Sequence, residues 1–400
     1  MLRGVYMSLP LEGIKVLDLS QAIAGPLAGQ MLGDLGAEVI KIEKKEGDQT
    51  RKMIPPEWDG ESMIFLSNNR NKRGISIDLK SEKGTEIVYD MVKDCDVFIE
   101  NFRTGGAERL GLGYKKLNSI NPSLIYLSIS GFGRTGPEKY RGGYDIILQA
   151  YGGLMGVTGD PEGEPVKVGT SIVDIATGML GTIGVFSALL TRMKTNEGQY
   201  VDSSLLDSQV MLLNYLIPTY YGTGESPTKK GSAHPSLFPY QSFPAKDQYI
   251  ILGIGNDSLW EKACKALEWE DLLIPKFITN EQRLKNKEEL YNIIVDRFKK
   301  LNCDEIFEIL DEVGVPCTPI NSIKQVVELE QVKYRNMVSS VEHPIIKNLK
   351  IPSFPINFSE FSTPTKKHPP LLGEHTDEIL KEQGFSEDII KILRKEGIVS

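Results

Sequence analysis

Short apolar runs alternate with amphipathic stretches along the first 131 residues. The runs predict strands, and the stretches, whose apolar positions recur every three or four residues, predict helices. The predicted strands are Ile14–Leu19, Glu38–Glu43, Gly74–Leu79, Asp96–Phe102 and Leu124–Gly131, and the predicted helices are Gly25–Gly36, Glu82–Lys93 and Tyr114–Ile120. This alternation indicates an α/β fold with a Rossmann-like parallel sheet, whose ligands bind at the carboxyl ends of the strands. Those ends are Ser20–Gly25, Glu43–Gly47, Asn101–Gly106 and Ser130–Gly136.

The middle of the chain contains a long apolar helix, predicted over Val173–Met193. Its glycines at 178, 181 and 184 expose one stripe of backbone, which favours close packing and a buried position. A strand over Tyr200–Leu205 and a helix over Leu206–Tyr221 follow. The glycine- and lysine-bearing segment Gly222–Ala233 is typical of a loop or domain boundary.

A second module is predicted after this boundary. Its strands are Tyr249–Ile254 and Val315–Ile320, and its helices are Ser258–Leu267, Glu288–Leu301 and Cys303–Val313. The proline-rich stretch Ser339–Pro370 is expected to return to the first module, with helices Thr376–Glu382 and Ser386–Lys395 closing the chain. We therefore expect a large domain over residues 1–222, a small α/β domain over 223–330, and a return segment over 331–400 that completes the large domain.

The charge balance argues against nucleic acid as a partner. In 400 residues, 46 Lys and Arg oppose 54 Asp and Glu, for a formal net charge of −8. One stretch is nevertheless basic, with Lys44, Lys45, Arg51, Lys52, Arg70, Lys72, Arg73 and Lys80. It fits either a small phosphorylated ligand or, as for most such clusters, a solvated charged face.

Four scattered cysteines and four histidines argue against a zinc site or a disulfide framework, so no metal is expected. Residues 1–10 lack the apolar core of a signal peptide, and the apolar run Met179–Leu190 is too short to span a bilayer. We therefore expect a cytoplasmic protein with no membrane partner.

Several common catalytic motifs are absent. No Walker A or G-x-G-x-x-G sequence follows the first predicted strand, and no G-x-S-x-G elbow occurs. The few, isolated histidines do not nominate a Ser–His triad. A carboxylate nucleophile is then the leading candidate.

Motifs along nearly the whole chain resemble the CaiB/BaiF-type family III CoA-transferases, which include formyl-CoA:oxalate CoA-transferases and the related α-methylacyl-CoA racemases. The motifs are DLSQAIAGPLAGQMLGDLGAEVIKIE at 18–43, NRNKRGISIDLKSEKG at 69–84, DVFIENFRTGGAERLGLGY at 96–114, LIYLSISGFGRTGP at 124–137 and KVGTSIVDIATGMLGTIGVFSALL at 167–190. The segment GSAHPSLFPYQSF at 231–243 looks most like the succinyl-CoA:dicarboxylate branch.

The resemblance implies that Asp174 is the nucleophile. The position has a structural alternative, because an aspartate in the first turn of a helix usually caps the helix. Free backbone N–H groups at the helix end would hold this carboxylate ionised. The resemblance further implies an aspartyl anhydride, then an aspartyl-CoA thioester, with CoA passing from succinyl-CoA or another dicarboxyl-CoA to a carboxylic acid acceptor.

The resemblance also implies binding residues for coenzyme A, which enters as acyl-CoA substrate. They are Ile23, Ala24, Lys44, Ile77, Asp78, Leu79, Lys80, Asn101, Phe102, Arg109 and Tyr144. Phe102 is equally compatible with a place in the hydrophobic core, and single lysines here with surface charges. Backbone donors of Gly231, Ser232, Ala233 and His234 are expected to stabilise the oxyanion, and His234 either contacts an acyl carboxylate or is an ordinary loop histidine.

Two departures from related branches narrow the function. Ile23 stands where the oxalate enzymes have a glutamine, which argues against oxalate, and Tyr144 stands where the racemases have a histidine. A 2-methylacyl-CoA racemase and a catalytically silent CoA-binding protein are the alternatives. The resemblance also implies an interlocked, ring-like homodimer.

Overall fold

The computed structural model describes residues 9–400, which divide into two compact units. The first comprises residues 9–154, Val168–Pro218 and Gln331–Ser400, and the second comprises Met155–Lys167 and Thr219–Glu330.

A six-stranded parallel sheet forms the centre of the first unit. Its strands are β1 (Lys15–Asp18), β2 (Glu38–Glu43), β5 (Lys72–Ser76), β6 (Val97–Glu100), β7 (Ile125–Ser130) and β8 (Tyr200–Ser204). Their order is β5-β2-β1-β6-β7-β8, and every neighbouring pair is parallel. The predicted parallel sheet is confirmed. The chain runs outward on both sides from β1 and β6, so the crevice favoured for ligands opens between the carboxyl ends of these two strands.

The sheet forms because its four inner strands, β1, β2, β6 and β7, carry apolar side chains on both faces. Successive residues of a strand point to opposite sides, so Val16 packs into the core on one face of the sheet and Leu17 packs into the core on the other face. One face is covered by α1 (Ala24–Asp34) and α8 (Ile172–Thr195), and the other by α3 (Glu82–Lys93) and α5 (Tyr114–Ile120).

Further elements complete the first unit. They are the two-residue strands β3 (Glu57–Trp58) and β4 (Glu61–Ser62), strands β12 (Val338–Val341) and β13 (Leu349–Pro352), a 3₁₀ turn at Gln49–Lys52, and helices α2 (Met63–Asn68), α4 (Gly106–Arg109), α6 (Asp145–Tyr151), α9 (Leu205–Leu212), α17 (Thr376–Glu382) and α18 (Glu387–Lys395). Ile379 of α17 and Leu393 of α18 belong to the core on the α3 face. The last residues of the chain are therefore part of this unit's interior.

Helix α8 packs as its glycine pattern predicts. A Cβ on Gly178 would lie 2.7 Å from the carbonyl oxygen of Ala24 in α1, and one on Gly184 would lie 2.8 Å from Val201 of β8. The helix is longer than the run Met179–Leu190, and its length and composition alone would suffice to span a membrane. Its contacts with α1 and the sheet make it a core helix of this unit.

The second unit has its own small core. Strands β9 (Tyr240–Pro244), β10 (Tyr249–Gly253) and β11 (Cys317–Pro319) form an antiparallel sheet in the order β11-β10-β9. The helices are α11 (Asp257–Ala266), α12 (Asn280–Lys285), α13 (Lys287–Phe298), α14 (Cys303–Glu312) and α15 (Ile323–Glu328), with a 3₁₀ turn at Glu270–Leu272. The sequence pattern missed β9, whose residues Tyr240–Pro244 end in proline and carry only one fully buried side chain.

Three short helices contain the points at which the chain passes from one unit to the other: α7 (Leu154–Val157), α10 (Leu216–Thr223) and α16 (Glu330–Tyr334). The single helix predicted over Leu206–Tyr221 is wrong. Asn214 has φ +44°, a left-handed conformation that ends α9 before α10 begins.

Half of the basic residues in the stretch from Lys44 to Lys80 form neither a phosphate site nor a solvated face, because they are paired with carboxylates. Its buried members pair internally, in the pairs Arg51–Glu43, Arg70–Asp34 and Lys72–Asp18, and Arg73 pairs with Glu38, Glu378 and Glu382. Lys44, Lys45, Lys52 and Lys80 remain exposed. Both sequence interpretations were wrong for the paired residues because a pattern of charges along the chain does not show which carboxylates fold against them.

Candidate active site

Asp174 lies in the first turn of α8, as the sequence predicted, and is half-buried. Its helix is held against the loop after β1 by the contact between Gly178 and the Ala24 carbonyl, one helical turn further along. This contact brings the Asp174 end of α8 to the carboxyl edge of the parallel sheet. The first unit thus presents a carboxylate where doubly wound sheets bind their ligands.

The cap of this helix is Asp145, which the sequence analysis did not single out. Its Oδ1 accepts hydrogen bonds from the backbone N–H groups of Val173 (2.8 Å) and Asp174 (3.3 Å). Asp145 is 8% exposed and begins α6. Because a neighbouring carboxylate occupies the helix end, the amide hydrogens expected to hold Asp174 ionised are already bonded.

Burial, and then the charge of Asp145, raise the pKa of Asp174 to about 7. The expectation that the helix end keeps this carboxylate ionised is therefore wrong. Near neutral pH the side chain divides between its acid and carboxylate forms. Perturbed carboxyl groups of this kind are frequent at catalytic sites.

Gln149 orients Asp145. Its Nε2 donates to Asp145 Oδ2 at 2.5 Å, and its Oε1 accepts from the Val168 N–H at 2.9 Å. Asp145 and Gln149 are four residues apart on α6, which places them on one face of the helix. That spacing is the sequence signal that could have identified the pair.

Ile23 and Ala24 lie at the start of α1, in the loop after β1. This loop is tightly fixed: the Gln21 N–H donates to the Asn101 side-chain oxygen at 2.8 Å, and Asn101 Nδ2 donates to the Gln21 carbonyl at 2.6 Å. The Ala22 N–H, on a residue with φ +68°, donates to Asp48 at 3.3 Å. Asn101, predicted as a ligand contact, has its amide engaged in joining the loops after β1 and β6.

A cavity of about 490 Å³ brings together three of the predicted CoA-binding residues, Leu79, Lys80 and Arg109, with the ring of Tyr89. The lining also contains the carboxylates of Glu82 and Glu86, so the cavity is not uniformly basic. Lys80 and Arg109 beside the aromatic ring are the groups that suit the phosphates and base of a nucleotide. Ile77 is instead fully buried in the core, and Asp78 forms a turn in which its carboxylate accepts from the Lys80 N–H.

The remaining predicted CoA residues are dispersed around this edge of the sheet. Lys44 is exposed after β2, and Tyr144 is 61% exposed directly before Asp145. Phe102 is half-buried and packs against the core on the α3 face, the alternative that the sequence left open.

The segment Gly231–His234 belongs to the second unit. The N–H groups of Gly231, Ala233 and His234 donate to the carbonyls of Gly159, Lys230 and Tyr240, at 2.9–3.0 Å. His234 Nδ1 accepts from the Ser236 N–H at 3.1 Å, and the hydroxyls of Ser232 and Ser242 are 2.7 Å apart. An oxyanion role for these three amides would therefore require the loop to rearrange.

Metal-ligating side chains are not clustered in the described part of the chain: among residues 9–400, no group of three His, Cys, Asp or Glu residues is arranged to hold a metal ion. The four cysteines are free thiols.

Comparison with known proteins identifies the class. The model of CoA-transferase family III matches residues 11–376. The human succinyl-CoA:glutarate CoA-transferase is 40% identical over 93% of this chain and 86% of that protein. The succinate–glutarate CoA-transferase of Agrobacterium fabrum is 38% identical over 93% of this chain and 95% of that protein.

The fold agrees with this match. The crystal structure of a CAIB/BAIF family protein from Brucella suis is similar with a TM-score of 0.87 at 39% identity, covering 94% of this chain and 100% of that chain. Fold and sequence together define a CoA-transferase. More particularly, the chain belongs to CoA-transferase family III, and the family predicted from the sequence motifs is confirmed.

Proposed function

We propose that this enzyme transfers CoA from succinyl-CoA to a small dicarboxylate, with glutarate as the first acceptor to test. The names of the human and Agrobacterium fabrum relatives support this substrate pair. The observation that carries the proposal is the half-buried Asp174, with a pKa near 7, at the carboxyl edge of the parallel sheet.

Asp174 acts as a covalent nucleophile. Its carboxylate attacks the succinyl thioester carbonyl, the C–S bond breaks, and a mixed anhydride and CoA thiolate form. The thiolate then attacks the aspartyl carbon of the anhydride, which releases succinate and leaves an aspartyl-CoA thioester. Glutarate attacks this thioester, and the thiolate returns to the glutaryl carbonyl, restoring the Asp174 carboxylate. One thioester replaces another, so the scheme needs no ATP.

The raised pKa of Asp174 suits these steps. A carboxylate that burial has stripped of water attacks a thioester more readily than a fully hydrated one. Asp145 keeps the helix amides occupied, so they do not withdraw electron density from the nucleophile. The reaction then requires the ionised form of Asp174, and its rate increases as the pH rises through about 7.

The cavity formed by Leu79, Lys80, Tyr89 and Arg109 supports binding of the nucleotide end of CoA. Lys80 and Arg109 provide the cations, and the ring of Tyr89 provides a stacking surface. Lys44, exposed after β2, adds a further cation at the carboxyl edge of the sheet.

A homodimer is part of the proposal. Met179, Ile183, Leu190 and Met193 form one stripe along α8 and are 42–81% exposed in the single chain. An apolar stripe of this kind is typical of a protein interface. Light scattering of the purified protein measures the mass, and Ile183→Glu is expected to reduce it to that of one chain.

The function is tested by incubating the protein with succinyl-CoA and a panel of acids: glutarate, mesaconate, malate, itaconate, oxalate and carnitine. New acyl-CoA products are measured by mass spectrometry. We expect glutaryl-CoA, and Asp174→Ala is expected to bind CoA while losing at least about a thousandfold in turnover. Binding of succinyl-CoA without transfer to any acid would contradict the proposal and favour the silent CoA-binding protein.

The covalent step has its own test. With succinyl-CoA and hydroxylamine, the wild-type enzyme is expected to be modified at Asp174, as detected by peptide mass. An active enzyme unmodified at this residue would contradict the mechanism. Deuterium entering the α-carbon of a 2-methylacyl-CoA from solvent would instead support the racemase.

A further inference from the structure

An ion pair lies beneath the predicted CoA loop without any role in the mechanism above. Glu100 is the last residue of β6, and Arg134 lies in the loop that follows β7. The Arg134 Nη2 is 2.9 Å from Glu100 Oε1, and the two side chains are 12% and 3% exposed. Burial raises the pKa of Glu100 even though Arg134 opposes the shift. Charges buried to this extent call for a structural or functional reason.

Both members of the pair bond to the backbone of one residue, Phe102. Glu100 Oε2 accepts from the Phe102 N–H at 2.8 Å, and Arg134 Nη1 donates to the Phe102 carbonyl at 2.7 Å. The peptide groups on both sides of the Phe102 side chain are therefore fixed by charge-assisted hydrogen bonds, the stronger kind.

The guanidinium of Arg134 is occupied by protein groups. Besides Glu100 and Phe102, its Nε donates to the Ser128 hydroxyl at 2.6 Å, and its Nη2 donates to the Ile129 carbonyl at 3.1 Å. The Ser128 hydroxyl in turn donates to Glu100. Arg134 is thus directed at the protein interior and does not act as a phosphate ligand.

The fixed segment leads directly to a cation of the nucleotide cavity. A Cβ on Gly106 would lie 2.9 Å from the Phe102 Cβ, and one on Gly105 would lie 3.1 Å from Arg109 Nη1. Gly106 therefore packs against Phe102, and Gly105 packs against the Arg109 guanidinium, so these contacts connect Phe102 to Arg109. On the other side of Phe102, Asn101 joins the segment to the loop after β1.

We propose that Glu100 and Arg134 are a positioning pair for CoA binding, which fixes Phe102 and so places Arg109 in the nucleotide cavity. The inference rests on the proposed function only in taking CoA as the ligand of that cavity. The pair touches neither Asp174 nor its cap Asp145. Its loss should weaken binding of the CoA thioester and leave the chemical step largely unchanged.

The experiment compares wild type with Arg134→Met, Arg134→Lys and Glu100→Gln. Lysine keeps the positive charge but lacks the planar fork that reaches Glu100, Ser128 and Phe102 together. We expect Arg134→Met to raise the Kd for CoA and the KM for succinyl-CoA about tenfold. The KM for glutarate and kcat should stay within about threefold, and Arg134→Lys should resemble Arg134→Met. Arg394→Met, which removes an exposed arginine paired with Asp377, is the matched control.

Hydrogen exchange supplies a readout independent of CoA. We expect faster exchange in the peptide containing residues 101–106 for each Arg134 variant and for Glu100→Gln, and no change for Arg394→Met. If Arg134→Met does not fold, Arg134→Lys and Glu100→Gln carry the test.

The outcomes separate this inference from the proposed function. Exchange and CoA affinity that both stay at wild-type values in the variants would overturn the positioning pair. A loss confined to kcat, or an Arg134→Lys protein equal to wild type, would also overturn it. Failure of the wild-type protein itself to bind CoA would instead overturn the proposed function.

Discussion

Two groups of buried carboxylates in the first unit lie under opposite electrostatic conditions. Asp48 is fully buried, but Lys41 lies 3.1 Å away and Thr50 bonds to it, so the pKa of Asp48 is lowered although burial alone would raise it. Asp174 is less buried, yet its charged neighbour is the carboxylate of Asp145, and its pKa rises to about 7. Burial raises the pKa of both carboxyls, whereas the neighbouring charge lowers the pKa of Asp48 and raises that of Asp174 further.

The carboxylates that are paired with lysines stabilise the fold. Lys41 donates to the Ser20 carbonyl at 2.9 Å, and Lys72 donates to Asp18 at 2.8 Å and to the Pro26 carbonyl at 2.7 Å. These buried ammonium groups fix both ends of the loop after β1. These paired charges fix the loop in place. Asp145 and Asp174, by contrast, form a pair of acids with no compensating cation among residues 9–400, and such a pair is typical of a reactive site.

Removing the Lys41 ammonium should leave Asp48 without a compensating positive charge, as Asp174 is in the described structure. We expect Lys41→Met to destabilise the protein by about 3–5 kcal/mol, because Asp48 is left buried without a counter-charge. Lys41→Met combined with Asp48→Asn should recover most of that loss, because asparagine removes the negative charge and keeps an oxygen that accepts from Thr50. Urea denaturation gives the free energy of unfolding, with the exposed Lys347→Met as control. A Lys41→Met protein as stable as the control would refute the electrostatic account.

The contact between Gly178 and the Ala24 carbonyl can be changed without altering any charge, which tests whether this contact places α8 and Asp174. Gly178→Ala would put a Cβ 2.7 Å from the Ala24 carbonyl oxygen, so α8 must move away from α1. We expect a loss of about 2–3 kcal/mol in unfolding free energy and reduced transfer activity. Gly222→Ala, where the new Cβ meets no atom within 4 Å, is the control. Equal thermal stability in the two variants would show that the contact is not tight.

The Asp174 carboxyl should lower stability as the pH rises. Its pKa of about 7 exceeds 3.8, the ordinary value for an aspartyl carboxyl in an unfolded chain, so the folded state binds the proton more tightly. Wild type therefore loses stability as the pH rises from the lower value to the higher one. Asp174→Asn removes this loss. We expect the variant to be more stable than wild type by about 1–2 kcal/mol at about pH 8, after allowance for partial solvent screening, and to show little gain near pH 4.

Denaturation at both pH values checks that difference. A gain that is the same at the two pH values would mean that packing, and not ionisation, explains the effect. Asp207, whose side chain is exposed in the first turn of α9, provides the control: Asp207→Asn is expected to change stability by less than about 0.5 kcal/mol at either pH.

The smallest expected effect is a shift in the pH profile. Asp145→Asn keeps an oxygen that accepts from the Val173 and Asp174 amides but loses the negative charge. The pKa of Asp174 should fall below about 7, so the acidic limb of kcat/KM for succinyl-CoA moves to lower pH. The profile measured from about pH 5 to pH 9 tests this. An unmoved limb would show that burial alone sets the pKa.

Much of the fold followed from the sequence because strands buried on both faces are continuous apolar runs. The runs around Val16, Val39 and Ile125 each became a strand of the parallel sheet, and the glycine spacing of α8 became its packing surface. The turn between α9 and α10 did not follow, because the left-handed conformation of Asn214 leaves no periodic signal.

Some residues of the candidate site could likewise be predicted from the sequence, and others could not. Asp174 was predicted as the nucleophile from its motif, and the structure places it in the first turn of α8. Asp145 was not, because the cap of α8 is supplied by a residue 29 positions earlier, and such a contact exists only after folding. Lys72 and Arg70 looked like surface cations and proved to be buried partners of Asp18 and Asp34.

By itself, then, the sequence determined the parallel sheet and the family, and it predicted Asp174 as the nucleophile, since these inferences depend on hydrophobic periodicity and on contiguous motifs. Only the tertiary structure decided the ionisation of Asp174, the cap that Asp145 provides and the pair that fixes Phe102. Each of these depends on distances between residues remote in the chain, and the energy of a charge depends on those distances and on the exclusion of water.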